Sequence, residues 1–220
     1  MNTALIVMGG SGSRFDKDLP KQFYLVNDIP LFVYTVKAFN NHINIDNIVI
    51  VSHKDYIGYV ESICNKYSLD KVSHIVIGGS TREESVYNGL LVINDNDKVL
   101  IHDACRPLVD ERIIKDNIDL LDESDAVVTA IRPNDTISYG VGDEVESCLD
   151  RTNFYLHQTP QSFKANIIKE CYKNKKPSVH FTDDVSLARF LGYKIKVVKG
   201  SINNIKITTK EDLLFLNKLV

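Results

Sequence analysis

With 220 residues, 44% of them hydrophobic and 25% charged, the chain has the make-up of a folded globular protein of one large domain or two small ones. A net charge of −3, no Trp, and scattered Tyr and Phe leave neither a basic field nor a stacking platform, which excludes nucleic acid as a partner. Cys64, Cys105, Cys148 and Cys171 form no C-x-x-C pair, the N-terminal apolar run is too short for an export signal, and no stretch approaches a membrane span, so a cytoplasmic protein with small, half-buried thiols is expected.

Along the chain, short apolar runs alternate with longer amphipathic ones. Residues 4–8, 47–51, 74–77, 99–102 and 126–131 are rich in Val and Ile and nearly continuous, as strands buried on both faces are. Helical patterns lie between them at 31–39, 56–67, 82–93 and 112–121. The third opens on a capping box, Thr81-x-x-Glu84. This order predicts a Rossmann-like α/β fold, a mostly parallel twisted sheet with helices on both faces. Residues 132–155 break the alternation: runs at 136–139 and 145–149 flank Gly140-Val141-Gly142-Asp143, a hairpin signal. An isolated hairpin is marginal in water, so this segment reads as a protruding β-arm docking on a second copy of the chain. Then come helices at 165–173 and from Thr182-Asp183-Asp184 to about 191, strands at 194–198 and 204–207, and a closing helix at 210–219 capped by Thr209. No linker separates a second domain, so 1–220 is expected to be one domain with the arm inserted in it.

In open parallel sheets ligands bind beyond the carboxyl ends of the strands. The unusual residues fall there: Gly9-Gly10-Ser11-Gly12-Ser13-Arg14, with Pro20-Lys21-Gln22 further on, then Gly78-Gly79-Ser80-Thr81-Arg82, Asp103-Ala104-Cys105-Arg106-Pro107, Asn134-Asp135-Thr136, and Asn203-Asn204 with Lys206. Glycines let backbone N–H groups approach a ligand closely, and inward N–H groups beside fixed cations suit a triphosphate. The motif is not a Walker A loop, because Gly12 is followed by Ser13-Arg14 rather than Lys. It is not a dinucleotide fingerprint, because Phe15 stands where a third glycine belongs. Taken alone, Asp103 and Arg106 read as a structural ion pair and Thr182-Asp183-Asp184 as a helix cap; beside the glycine loops, a metal ligand and a phosphate contact gain weight. His102 reads as a packed or hydrogen-bonded residue. Ser11, Ser80 and Ser85 lack a His–Asp partnership, so a serine nucleophile is not expected. A transferase joining a nucleotide to a phosphate monoester fits this inventory. The monoester has its second pKa near ~6 and is already mostly dianionic at neutral pH, so the protein must neutralise and align rather than deprotonate. Arg14, Lys21, Arg106, Arg151 and Lys206 supply the positive charge and Asp103 a site for a divalent ion.

These motifs, with Asp150-Arg151, Gln158-Thr159-Pro160-Gln161-Ser162-Phe163 and Asn204-Ile205-Lys206-Ile207-Thr208, span nearly the whole chain. Together they resemble the bacterial cytidylyltransferases that activate small sugar-alcohol phosphates, the 2-C-methyl-D-erythritol 4-phosphate and ribitol-5-phosphate cytidylyltransferase family. The resemblance implies a nucleotidyltransferase fold and Mg²⁺-dependent transfer of CMP from CTP. It implies that Arg14 and Lys21 stabilise the pentavalent α-phosphate, and that Met8, Gly9, Gly10, Ser11, Gly12, Ser13, Gly79, Ser80, Arg82, Ser85 and Ala104 hold the nucleotide. Asp103 would face Mg²⁺ and the substrate hydroxyls. Arg106, Thr159, Thr182 and Lys206 would contact the polyol phosphate, and Thr136 and Arg151 would reach the neighbouring subunit's site in a homodimer. Met8-Gly9 replaces the Ala-Gly or Ala-Ala pair usual before the loop, and Gly9 keeps the room. Leu149-Asp150-Arg151-Thr152 favours methylerythritol phosphate. Met8-Gly9-Gly10 leaves ribitol 5-phosphate, a teichoic acid or capsule precursor, as the alternative. A general sugar nucleotidyltransferase using another base and an inactive nucleotide-binding relative are the remaining readings.

Overall fold

The computed structural model describes residues 1–9, 19–175, 179 and 181–218. Its centre is a seven-stranded sheet. The strands are β1 (Asn2–Met8), β4 (Asn47–Ser52), β5 (Val72–Ile77), β6 (Lys98–Asp103), β7 (Ala126–Ile131), β10 (Leu156–Lys164) and β11 (Ile195–Lys199). They run in the order β11-β7-β10-β6-β1-β4-β5, parallel except for β10, which is antiparallel to both neighbours. The fold is therefore the expected α/β one, built on a mostly parallel sheet.

Alternation along the strands divides the core. Ala4, Ile6, Ile48, Ile50 and Leu100 face α1 (Leu31–Asn40), α2 (Ile57–Lys66) and α4 (Glu111–Leu120). Leu5, Val7, Val49, Val51, Val99 and Ile101 face α3 (Arg82–Leu90), α5 (Ala165–Lys173) and α6 (Asp184–Phe190). Both faces of β1, β4 and β6 are thus dry, which explains their unbroken apolar runs. β5 departs from that pattern. It is the sheet edge, and Ser73, His74 and Ile77 are exposed.

Three segments differ from expectation. β10 has no apolar signature, because it carries Gln158, Thr159, Pro160 and Gln161, yet it lies between β6 and β7. Its pairing with β7 shifts register between His157 and Gln161, and such an irregularity tolerates a proline. Residues 204–207, expected as a strand, are irregular backbone tied by Ile207 N–H to the Cys105 carbonyl at 2.8 Å. A small hairpin, β2 (Leu25–Val26) with β3 (Ile29–Pro30), precedes α1. The capping box at α3 is half formed: Thr81 Oγ1 accepts from Glu84 N–H, but the Glu84 carboxylate turns to the N–H and hydroxyl of Ser80. A full box instead closes α7 (Lys210–Leu216), between Thr209 and Asp212.

The arm is β8 (Ile137–Val141) and β9 (Glu144–Leu149), joined at Gly142, whose φ of 59° suits a two-residue hairpin turn. Tyr139, Val141 and Val145 are exposed on it. Cys64, Cys105 and Cys171 are buried, while Cys148, expected half-buried, is exposed on β9. No described helix is long and apolar enough to cross a membrane.

Candidate active site

Where β1 and β6 end, a cavity of about 290 Å³ opens. Val7, Met8 and Gly9 form one wall, Asp103, Ala104 and Cys105 another, and Lys21, Gln22, Arg82, Lys206 and Thr208 complete it. Strand pairing fixes the two walls, since β1 and β6 are in register from Asn2 with Lys98 to Val7 with Asp103. Gln22 Nε2 donates to the Met8 carbonyl at 2.8 Å and pins the short helical turn Lys21–Phe23 to the end of β1. Gly9 and Gly78 approach each other around the buried Ser85 hydroxyl. A Cβ at either glycine would lie within 2.9 Å of Ser85 Oγ, so only glycine lets these two loops close together. Ser85 Oγ itself accepts from Gly79 N–H and donates to the Thr81 carbonyl.

Asp103 is the electrostatic hub. Its Oδ2 is 2.9 Å from Lys206 Nζ and 3.6 Å from Arg106 Nε, and its Oδ1 is 3.6 Å from Arg82 Nε. Burial pushes the Asp103 carboxyl up, but Lys206, Arg82 and Arg106 together outweigh it and hold it well below the usual carboxylate range. Arg82 also donates to Asp184 Oδ2 at 2.8 Å, and Tyr172 holds the other Asp184 oxygen at 2.6 Å. Burial alone would lower the Arg82 pKa; Asp184 and Asp103 raise it instead and keep the guanidinium charged. Arg106 Nη1 donates to the Asn204 carbonyl at 2.7 Å, while its buried Nε has no hydrogen-bond partner among the described residues. Lys21 Nζ donates to the Ile207 carbonyl at 2.9 Å, so the segment that carries Lys206 is anchored by the cations it sits beside.

Of the expected site residues, the fold gathers Met8, Gly9, Lys21, Arg82, Asp103, Ala104 and Lys206 on the cavity, with Arg106 against Asp103. Gly79 and Ser80 lie on the adjoining β5–α3 turn, and Ser85 lies in the first turns of α3. Gly10, Ser11, Gly12, Ser13 and Arg14 lie outside the described residues. Thr182 is exposed ahead of α6, whose N-cap is Asp183. Thr136 and Arg151 are exposed at the root of the arm, where Arg151 Nη1 donates to the Asn134 carbonyl, and neither lines this cavity. The Thr159 hydroxyl is committed inside the protein: it accepts from Asp103 N–H at 3.1 Å and meets His102 Nδ1 at 3.0 Å. Asp103 does not fit the part of a resident metal ligand. Three cations surround its carboxylate, and the described residues hold no group of three His, Cys, Asp or Glu that could cage an ion. Sequence reading missed Asp184 as an Arg82 partner and Gln22 as the pin of the Lys21 turn, for neither carries a local signal.

The arrangement suits anions: fixed positive groups at the strand ends, a glycine wall, and, among the described residues lining the cavity, no base poised for proton abstraction. Residues 2–220 match the family model described as 2-C-methyl-D-erythritol 4-phosphate cytidylyltransferase. The chain is 43% identical to the enzyme of that name from Clostridium novyi over 215 residues, 96% of this chain and 93% of the relative. It is 39% identical to that of Clostridium tetani, covering 100% of this chain and 90% of the relative. Among solved structures, 4-diphosphocytidyl-2C-methyl-D-erythritol synthase from Anaerococcus prevotii superposes with a TM-score of 0.85 at 32% identity over 99% of this chain and 96% of that one. The Francisella tularensis 2-C-methyl-D-erythritol 4-phosphate cytidylyltransferase gives 0.81 at 32% identity over all of both chains.

Proposed function

The chain belongs to the 2-C-methyl-D-erythritol 4-phosphate cytidylyltransferase family, and from that premise we propose that this cytidylyltransferase moves CMP from CTP to 2-C-methyl-D-erythritol 4-phosphate, with release of pyrophosphate. The observation that carries the chemistry is the convergence of Lys21, Arg82 and Lys206 on one cavity around Asp103. A phosphate oxygen of the polyol phosphate attacks the α-phosphorus of CTP. That new O–P bond forms as the bond from the α-phosphorus to the α,β-bridging oxygen breaks, and pyrophosphate leaves with the electron pair. Both reactants are anions, so the barrier contains their mutual repulsion. Positive groups fixed in advance remove that repulsion without reorganising. Lys21 acts at the α-phosphate together with Arg14, and the glycine loop that begins at Gly9 holds the triphosphate. Gly79 and Ser80 contact the base and ribose, and Ser85 shapes their turn. Asp103 accepts the polyol hydroxyls, and Lys206, Thr182 and Arg106 take the polyol phosphate, whose oxygen would give Arg106 Nε the hydrogen bond that its 3.6 Å ion pair with Asp103 does not. A divalent ion such as Mg²⁺ would in this reading accompany the triphosphate and offset its charge, since the described residues hold no group of His, Cys, Asp or Glu that could cage it.

The direct test is pyrophosphate release from CTP with methylerythritol phosphate and with ribitol 5-phosphate, side by side, with and without chelator. Turnover at least tenfold higher with methylerythritol phosphate is expected, and loss of it on chelation. Preference for ribitol 5-phosphate, or for UTP over CTP, would sink the assignment.

The same reading makes residues 1–220 one cytoplasmic domain, with 132–155 as the arm of a homodimer. Exposed Tyr139 and Val141 on one face of a two-stranded arm favour burial against another surface. Beside its root lies a groove of about 620 Å³ lined by Ile131, Arg132, Tyr155, Val197 and Ile202. Two copies exchanging arms in isologous C2 fashion would cover both and would bring Thr136 and Arg151 to the partner's site. Tyr139→Glu combined with Val141→Glu is expected to yield monomers in sedimentation velocity and to reduce turnover with the dimer. A fully active dimeric variant would speak against the arm as the interface.

A further inference from the structure

The buried imidazole of His102 touches neither the cavity nor solvent, yet it closes a ring of hydrogen bonds around the turn that carries Asp103 and Arg106. Asp103 N–H donates to Thr159 Oγ1 at 3.1 Å, Thr159 Oγ1 meets His102 Nδ1 at 3.0 Å, and His102 Nε2 meets the Arg106 carbonyl at 3.1 Å. The turn itself is closed by Arg106 N–H on the Asp103 carbonyl at 3.0 Å.

The direction of every bond in this ring follows from its two ends. The Arg106 carbonyl only accepts, so His102 Nε2 carries a proton. The Asp103 N–H only donates, so Thr159 Oγ1 accepts there and its own hydrogen is free for His102 Nδ1. A neutral imidazole with the proton on Nε2 satisfies all of these groups. A doubly protonated ring would turn a second donor on Thr159 and leave the threonine hydrogen without an acceptor. Burial pulls the His102 pKa down to about 4. The Arg106 carbonyl and Asp103 oppose that fall, and the Arg106 and Lys206 charges add to it, so the neutral form persists through the physiological range.

A second tie runs from the same threonine. The Thr159 carbonyl accepts from Asn204 Nδ2 at 2.9 Å, and the Asn204 carbonyl accepts from Arg106 Nη1 at 2.7 Å. Arg106 is therefore fixed at its carbonyl through His102 and at its guanidinium through Asn204. We propose that His102 is a positioning residue for the cytidylyl transfer, aligning the side chains of Asp103 and Arg106 by clamping the turn between them to Thr159. This role rests on the reading of Asp103 and Arg106 as polyol-phosphate contacts. His102 holds no substrate and moves no proton in the reaction.

The test uses four variants of the full chain. His102→Leu keeps an apolar side chain against Phe39, whose ring centroid is 5.0 Å from that of His102, and loses both bonds. His102→Gln keeps a donor for the Arg106 carbonyl, and His102→Asn keeps a partner for Thr159. Steady-state kinetics at a temperature where each variant is folded is expected to show KM for the polyol phosphate raised tenfold or more in His102→Leu, with KM for CTP within twofold of wild type. His102→Gln should recover most of the loss, because it restores the Arg106 anchor. Thr159→Val, which keeps the imidazole and the side-chain shape, is expected to shift the same KM in the same direction and decides the matter if His102→Leu does not fold. An unchanged polyol-phosphate KM with only a lower melting temperature would make His102 a packing residue and overturn the proposal. A wild-type chain with no turnover on any polyol phosphate would instead remove the functional reading beneath it.

Discussion

Lys21→Ala is expected to lower kcat/KM for cytidylyl transfer by about 10²–10³-fold while the protein stays folded. Lys21 lines the cavity from the short turn that Gln22 pins to the end of β1. Among the described residues its ammonium makes one hydrogen bond, to the Ile207 carbonyl. Losing that single part-buried bond costs about 1 kcal/mol, far less than a folded domain can bear. In the proposed reaction the catalytic loss is expected to be larger, because a fixed charge facing the reacting phosphate would stabilise the transition state without reorganisation. At about 1.4 kcal/mol per decade, a 10³-fold loss corresponds to roughly 4 kcal/mol of barrier. Pyrophosphate release and a thermal melt on the same preparation separate the two effects. Near-normal turnover in the variant would remove Lys21 from the chemistry.

Asp103→Asn is expected to damage both stability and activity. The substitution keeps the shape but leaves Lys206, Arg82 and Arg106 gathered around a neutral group. Removing one member of a buried ionic cluster costs about 3–5 kcal/mol, and the lower end applies because the Lys206 side chain is 40% exposed and Arg82 keeps Asp184. The pH dependence has a definite sign. The folded pKa of Asp103 lies below its unfolded value of about 3.9, so its contribution is fully present above that pH and is lost as pH falls through the folded pKa. Urea unfolding should therefore show a large gap between wild type and variant at pH 7 that narrows below about pH 4. A gap of constant size across that range would mean that Asp103 is not held by its cations.

Several elements were legible because their signals are local. The apolar runs of β1, β4, β6 and β7 reflect burial on both sheet faces, so composition alone marks them. Thr209 before Lys210 announces a helix start, and Gly142 announces a hairpin turn, because each meets a backbone need within a few residues. β10 was not legible. Gln158, Thr159 and Gln161 are polar yet buried, and Pro160 argues against a central strand. Their partners lie elsewhere in the chain. Gln161 Oε1 accepts from the N–H groups of Asp184 and Val185, Asn204 donates to Thr159, and the Pro160 carbonyl accepts from Thr129.

The sequence by itself determined the α/β class and the family, and it marked Lys21, Asp103, Arg106 and Lys206, beside the strand ends, as candidate site residues. Glycine geometry, hydrophobic period and motif order are all written in neighbouring positions. Only the tertiary structure decided what those side chains face. It set Lys206 and Arg82 against Asp103, drew Asp184 to Arg82, and turned the Thr159 hydroxyl inward to His102 rather than to a ligand. Pairings between groups some twenty to a hundred residues apart depend on sheet order and crossover, and no local preference of the chain encodes them.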